Sequence, residues 1–340
     1  MAPIKSSLVR TVGKLFGISK DTDLSLRGDL QSSRFAEAFT LSGGTITAGV
    51  APGDGYTYHA FISDGNLVVT GGGNVDFLVI GGGGGAGAGD PGNNASAGSG
   101  AGGVARGLDV PISAGTIPIT VGQGGAGAPA PRSSQASNGG DSKFGAPGES
   151  WYALAHGGGY GSSQSSGGDY PGGTGGSGGG GANTPGSDNF GPAEQPGTNP
   201  SPLITDYGNQ GGDGSVNPGG WGGGGGAGSN GAPYSGGEGG DGGHGSPFPQ
   251  FTAPKVQPLI PSPVRPTWTP VVGPTGMYAG GGGGGVYSGT GTPAGGPGGG
   301  GGEDTQGIDY TGSGSGGAPP GGGAGHRGAH GIVIVRYQPG

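Results

Sequence analysis

The sequence predicts an all-β protein that also carries polyglycine II: β-sandwich-like strands packed with a lattice of glycine-rich, left-handed extended helices, behind a short N-terminal arm or helix. Three observations predict it. One hundred of the 340 residues are glycine, gathered into runs such as 81–85, 222–226, 280–285 and 298–302. The runs keep no strict triplet register, which excludes collagen. Between them lie short β-branched or aromatic segments bounded by Gly, Asp or Asn, as strands are.

Glycine loses more backbone entropy on folding than any other residue and has no side chain to bury. A chain with 100 Gly and 30 Pro needs an unusual offset. Extended threefold helices of nearly pure glycine supply one. Nothing projects from them, so they pack side by side and satisfy their N–H and C=O groups laterally.

The elements follow in chain order. Residues 1–40 read as a docking arm: Leu8, Val12, Leu15 and Phe16 share one helical face, with Ser6 or Ser7 as N-cap. The composition changes abruptly after about residue 40, so 41–340 reads as a separate glycine-rich body. Segments 56–62, 66–70, 75–80, 116–121, 151–155 and 332–337 read as strands. Ser63-Asp64-Gly65 is a turn signal that makes residues 56–70 a hairpin. The last strand, remote in sequence, suggests a sheet closed by the chain's own end. The glycine lattice and its surface loops occupy about 81–331.

Segment 246–275 holds nine prolines with Phe248, Phe251 and Trp268. It reads as polyproline II, neither helix nor interior strand. Its aromatics are candidates for stacking on a partner or, alternatively, for folding back over the body. Trp151 and Trp221 adjoin the scaffold and read as core.

Charge and composition narrow the function classes. Residues 1–34 carry six Lys/Arg against three Asp, a balance of +3; the remainder is then 7 − 18 = −11. An acidic body argues against binding a nucleic-acid backbone. No cysteine is present, so disulfides and thiolate metal sites are excluded. No stretch approaches the roughly 20 apolar residues of a membrane helix. The basic start has charges and glycines where a signal peptide needs an apolar core.

Several motif matches are chance products of composition. Gly82-x-Gly84-x-x-Gly87 with Asp109 satisfies a dinucleotide fingerprint in letter, but Gly89-Asp-Pro-Gly-Asn-Asn94 forbids the helix it requires. Gly236-Gly-Glu-Gly-Gly-Asp241 is a lone copy of a calcium-repeat-like motif that lacks the apolar residue after its Asp. His326 and His330 are four apart, yet glycines between them disfavour a helix bearing both. Arg27-Gly28-Asp29 and Asn94-Ala-Ser96 are short enough to arise by chance. No catalytic, cofactor-binding or metal-binding residue is assigned, and enzymatic activity is not expected.

Phe77-Leu-Val-Ile80 running into the first glycine run, Gly102-Gly-Val-Ala-Arg106, Ile117-Pro-Ile-Thr-Val-Gly-Gln-Gly-Gly-Ala126, Gly139-Gly-Asp-Ser-Lys-Phe-Gly145, the run opened by Tyr278-Ala-Gly280 and the closing His330-Gly-Ile-Val-Ile-Val-Arg-Tyr337 carry a resemblance. Together they resemble the glycine-rich module of bacteriophage tail-fibre and appendage proteins, over about residues 56–337. A similar module occurs in the extracellular part of the anaplastic lymphoma kinase family, but this chain has no kinase and no cysteine. Residues 4–10 and 21–29 resemble N-terminal segments of structural proteins from phages of marine cyanobacteria.

The resemblance implies a virion protein. It would dock on other virion proteins through its N-terminus, form a homotrimer, insert in no membrane and bind no nucleic acid. Its loops would contact a host-cell receptor, protein or polysaccharide. In the resembling polyglycine adhesins the loops joining the helices sit at the exposed tip; here they would be 162–171, 183–207, 228–236 and 246–275. Receptor-contact candidates are Phe248, Phe251, Trp268, Tyr170 and Phe190, and virion-docking candidates are Leu8, Val12, Leu15 and Phe16. The alternative is a capsid- or tail-decorating cement protein that contacts its particle through broad faces. A disordered cell-surface glycine-rich protein is the third reading.

Overall fold

The computed structural model describes residues 37–89, 95–130, 135–165, 168–182, 189–216, 219–286, 291–321 and 323–339. The arm residues Leu8, Val12, Leu15 and Phe16 lie outside them. The described chain is mostly β-sheet with two short helices. Its strands are β1 (Thr40–Ser42), β2 (Thr57–Phe61), β3 (Gly65–Thr70), β4 (Gly73–Ile80), β5 (Val104–Ile112), β6 (Gly115–Thr120), β7 (Ser142–Phe144) and β8 (Ala153–Ala155). They continue with β9 (Ser163–Ser165), β10 (Gly168–Tyr170), β11 (Ile204–Tyr207), β12 (Ser215–Val216), β13 (Gly219–Gly220), β14 (Ser246–Pro247), β15 (Met277–Tyr278) and β16 (Ile332–Tyr337). The helices are α1 (Ala253–Val256) and α2 (Arg265–Val272), with a 3-10 turn at Gln257–Leu259 between them.

Two five-stranded antiparallel sheets carry the fold, in the orders β1-β3-β6-β7-β8 and β11-β5-β4-β16-β2. Their burial follows their patterning. In β3, Leu67 and Val69 point inward while Asn66, Val68 and Thr70 face out, so the first sheet has one apolar face. In β4 the run Phe77-Leu-Val-Ile80 is buried throughout, so the second sheet is covered on both faces. Leu67, Val69, Ile117, Ile119 and Phe144 of the first sheet meet Phe61, Phe77, Val79, Val333 and Val335 of the second in one apolar cluster. The rings of Phe77 and Phe144 stack there at 4.6 Å. On the other face of the second sheet, Tyr58, Leu78, Ile80, Ile332 and Ile334 pack against the 246–278 segment.

Residues 56–70 are not a hairpin. β2 pairs with β16 and β3 pairs with β1 and β6, so Ser63-Asp64-Gly65 carries the chain from one sheet to the other. The burial of the two strands matches their separate sheets: β2 is buried along almost its whole length, and β3 on one face. The C-terminal strand does complete a sheet, entering between β2 and β4.

The proline-rich segment is helical in part, against the polyproline II reading. Pro stands in the first turn of α1, of the 3-10 turn and of α2, where an N–H has no intrahelical acceptor and a fixed φ favours the start. Only Pro270 lies inside a helix, and Gly273 ends α2 at φ 56°.

The glycine runs extend from one end of both sheets. Run 81–89 leaves β4, run 96–103 enters β5, run 121–128 leaves β6, run 137–141 enters β7, run 156–162 leaves β8 and run 325–331 enters β16. The bond from Gly81 N–H to the Gly103 carbonyl, 3.0 Å, prolongs the pairing of Ile80 with Val104. From there the donors rotate with a three-residue period. Gly81 and Gly84 donate to Gly103 and Gly100, Gly82 and Gly85 to Gly140 and Ser137, and Gly83 and Ala86 to Ala329 and His326.

Run 96–103 is bonded on all sides. It donates to Ser315 from Ser99, to Gly159 from Gly100 and to Gly225 from Ala101. It accepts from Gly84 at Gly100, from Ser177 at Ala101 and from Gly282 at Ser99. No glycine of the runs 81–85, 222–226 or 280–285 has a positive φ.

The spacing admits no side chain at most of these positions. A Cβ on Gly282 would overlap the Ser315 carbonyl oxygen, and one on Gly224 that of Ser99, both backbone groups already engaged in bonding. Gly282→Ala and Gly224→Ala should therefore each cost well over the roughly 1 kcal/mol of ordinary glycine–alanine backbone effects, read by urea denaturation. Gly323→Ala, whose Cβ meets nothing within 4 Å, is the control and should stay within about 0.5 kcal/mol of the parent. Unchanged midpoints in both lattice variants would contradict the close packing.

Candidate functional site

The hydrogen-bond register sets where each loop lies along the body. Gly81, Gly103 and Gly331 adjoin the sheets, whereas Gly89, Ser96, Ala128, Ser162, Gly285, Ala318 and Gly323 mark the far end of their runs. Those far ends are tied together. Gly89 donates to Gly323, Ser96 to Ala318, Gly285 to Ser96, Ala97 to Ser162 and Ser162 to Gly180. The β9–β10 pair, with Tyr170 opposite Ser163, lies at this end and bridges Ser96 through Ser163.

Residues 37–42 lie at the other pole. β1 pairs Thr40 with Thr70, at the end of β3 remote from the runs. Just before it, the Phe39 ring contacts Tyr337 edge-on at 5.2 Å. Residue 37 and the far end of the glycine runs are thus on opposite sides of the sheets.

The candidate receptor aromatics are divided by this arrangement. Phe248, Phe251 and Trp268 are fully buried and cannot stack on a partner. Phe248 meets the Tyr207 ring edge-on at 5.2 Å. The Trp268 indole N–H donates to the Tyr310 carbonyl at 3.1 Å, and the Tyr278 hydroxyl donates to the Phe251 carbonyl at 2.8 Å. The reason is apolar coverage: in a chain only 29% hydrophobic, these rings close the outer face of the second sheet. Segment 246–275 therefore lies beside the sheets, away from the far end.

Tyr170 stands in the far-end hairpin and Phe190 is half-buried in the run that follows residues 183–188. The segment 183–207 is not all loop, because β11 pairs with β5 as an edge of the second sheet. Within 228–236, Gly231 and Tyr234 donate to Gln210 and Asp213 as lattice members. Trp221 is fully buried and Trp151 packs on Phe144, as core.

An ionic clamp fixes the helical segment to the sheet. Arg336 bonds Asp76 through Nε at 2.9 Å, lies 4.0 Å above the Tyr56 ring and donates to the Tyr58 hydroxyl at 3.3 Å. Tyr58 donates to Asp54 at 2.8 Å, and Lys255 of α1 lies 3.3 Å from that carboxylate. Burial pushes the Tyr58 hydroxyl up to about 12. At the far end, Glu303 accepts the Val286 N–H at 2.9 Å, and burial raises its carboxyl above the usual range. Neighbouring Asp304 faces His326 at 3.2 Å. Sequence reasoning missed this acidic pair; its signal is the Glu-Asp that ends the run 298–302.

The far end thus offers hydrogen-bonding and acidic groups on a backbone held by its neighbours. Among the described residues no group of three or more His, Cys, Asp or Glu could hold a metal ion. A 320 Å³ recess where the chain crosses between sheets is lined by Phe61, Asp64 and Asn66. Asp64 is already engaged there by the Val121 N–H.

Trp268→Ala should cost about 3–5 kcal/mol of stability by leaving a cavity under α2, checked by chemical denaturation. A second expectation concerns His156, 3.5 Å from Asp141. The Asp141 hydrogen bond raises His156 above 6.5, and the same bond lowers Asp141 below 3.8. The histidine contribution is complete below pH 6.5 and lost as pH rises through its raised value. The aspartate contribution is present above pH 3.8 and lost as pH falls through its lowered value. His156→Gln should therefore fall furthest below the parent in thermal melts near about pH 5, by at most about 1 kcal/mol for so exposed a pair, and the difference should shrink by about pH 9.

Against known proteins, the glycine-rich domain family matches residues 62–338. No curated protein matches the chain.

Proposed function

For this chain, which belongs to the glycine-rich domain family, we propose a structural display role on a bacteriophage particle. It is a tail fibre or appendage protein, held to other virion proteins through residues 1–40, whose far end recognises the host cell surface. One observation carries the reading: residue 37 lies on one side of the sheets, and the loop-bearing ends of the runs lie on the other. A protein that must be anchored and must reach outward needs that polarity.

The body is proposed to be a β-sandwich prolonged by left-handed polyglycine-II helices. The three-residue donor period and the negative φ of runs 81–85, 222–226 and 280–285 support this conformation. At about 3.1 Å per residue, the eight steps from Gly81 to Gly89 carry the far end roughly 25 Å beyond the sheets. Multiple backbone bonds per run make this a stiff spacer, and a stiff spacer loses little entropy when its tip binds. A homotrimer, the usual fibre arrangement in the resembling family, would multiply weak tip contacts.

Receptor contact falls to the far-end groups: the β9–β10 hairpin with Tyr170, Phe190, and the acidic edge at Glu303 and Asp304. The alternative, a decorating protein that binds by a broad face, draws support from Val68, 44% exposed on the outer face of the first sheet.

The test is binding of the full chain to marine cyanobacterial cells, with residues 164–169 intact or replaced by Gly-Gly. At least about a tenfold loss of binding with the shortened hairpin is expected, equivalent to one good contact of about 1.4 kcal/mol. Cell binding that survives this change and a Glu303→Ala/Asp304→Ala change would contradict tip recognition. A Val68→Asp variant that abolishes incorporation into particles while cell binding is absent throughout would favour the decorating role.

A further inference from the structure

Inside the lattice most run N–H groups reach backbone carbonyls of neighbouring runs, and the side-chain acceptors found there are buried serines, such as Ser99 for the Ser315 N–H and Ser96 for that of Ala318. The perimeter is different. In run 156–162, Gly158 and Gly161 donate to Gly82 and Gly85, and Gly159 and Ser162 to Ser177 and Gly180. Its third row meets no backbone carbonyl of a run among the described residues. Gly157 donates to Asp141 Oδ1 and Tyr160 to Asn138 Oδ1, both at 3.0 Å, from two residues three apart on run 137–141.

The same substitution recurs around the margin. Ala126 donates to Ser137 Oγ at 2.8 Å and Gly124 to His330 Nδ1 at 3.1 Å. On the opposite margin His244 donates to Ser229 Oγ at 2.9 Å and Ala294 to Asp241 Oδ1 at 2.7 Å.

The direction of these N–H groups follows from the interior. At Ser99 the N–H goes to Ser315 and the C=O receives Gly282, and those two runs are themselves bonded, Gly314 to Gly280. A residue's donor and acceptor therefore point to adjacent positions around its run. Ala126 receives Ser137 N–H on its carbonyl, so its own N–H points to the next position round, which no run fills among the described residues; the Ser137 hydroxyl folds across to take it. Ala294 repeats the arrangement, receiving Gly242 N–H on its carbonyl while the Asp241 side chain takes its N–H.

We infer that these side chains terminate the lattice, by occupying the outward N–H groups to which a glycine run of a second copy of this chain would otherwise bond. The hazard is that of an unprotected sheet edge, a row of free amides that recruits another chain. A second copy is the fitting occupant, because its glycine runs present carbonyls at the same three-residue spacing with no side chain in the way. Capping by Asp141 and Asp241 adds like charge to an assembly of net charge −8 per chain, which further opposes approach. Ser137, Asn138 and Asp241 are exposed, so the capped positions are open to solvent and to a neighbour.

The experiment is sedimentation velocity of the full chain over a concentration series. The parent should keep one sedimentation coefficient throughout. Ser137→Gly/Asn138→Gly, which strips the acceptors of Ala126 and Tyr160, should form a larger species that grows with concentration and reverses on dilution. Asn138→Asp, which keeps an acceptor oxygen, should sediment as the parent does. A glycine variant with parental circular dichroism and melting that sediments as the parent at every concentration overturns the inference. Should that variant not fold, Asp241→Gly decides on the same readout at the other margin, where only Ala294 loses its acceptor: growth with concentration supports the inference, and parental sedimentation overturns it.

Discussion

Close contact between bare backbones is the constraint on which this structure depends. Run 96–103 exchanges hydrogen bonds with runs on every side, and a Cβ at Gly98 or Gly100 would strike the carbonyls of Gly282 or Ser177. Glycine is required here for the absence of a side chain, not for left-handed φ, since these residues keep negative φ. The exceptions obey the same geometry. Ser99 and Ser315 sit inside the lattice and return their hydroxyls to it, Ser99 bonding the Gly84 carbonyl and Ser315 that of His326. These two buried hydroxyls are thereby satisfied within the lattice, with backbone bonding in the place that apolar packing takes in an ordinary core.

The magnitudes explain why the lattice needs the sheets. A backbone hydrogen bond contributes about 0.5–1.5 kcal/mol net, while fixing a residue costs about 1–2 kcal/mol, more for glycine. Runs bonded once per residue are marginal by themselves. The sheets remove part of that cost by fixing the register from which runs depart: Ile80 opposite Val104 dictates Gly81 opposite Gly103. The second sheet in turn depends on Phe248, Phe251 and Trp268, without which its outer face would be wet. Arg336, bonded to Asp76 and Tyr58 of its own sheet, lies 5.9 Å over the Phe251 ring and so joins these layers at the C-terminal strand.

Much of the β content was legible, because segments such as 75–80 and 332–337 are dense in β-branched residues. β5 was hidden by Gly107 and Pro111, and β11 by its place in a proline-rich stretch. The crossing at Ser63-Asp64-Gly65 was read as a hairpin because turn chemistry specifies a reversal but not the sheet that receives the next strand. The helices of 246–275 were missed since nine prolines read as breakers, whereas those in first turns are compatible with helix. Burial of the same segment's aromatics is a tertiary fact: Trp268 has no local signal that tells a ring facing a partner from a ring facing its own sheet. Of the candidate site, the hairpin bearing Tyr170 fell within a loop already marked, while Glu303 and Asp304 carried only the end of a glycine run.

Residue-resolved amide hydrogen exchange tests the central claim most directly, by comparing glycine amides of run 96–103 with those of β4 and β16. Backbone bonding that holds the lattice as one cooperative unit with the sheets predicts comparable protection for Gly98, Gly100 and Gly102 and for Leu78 and Ile334. Exchange of the glycine amides at the rates of an unfolded chain, with the sheet amides still protected, would contradict it.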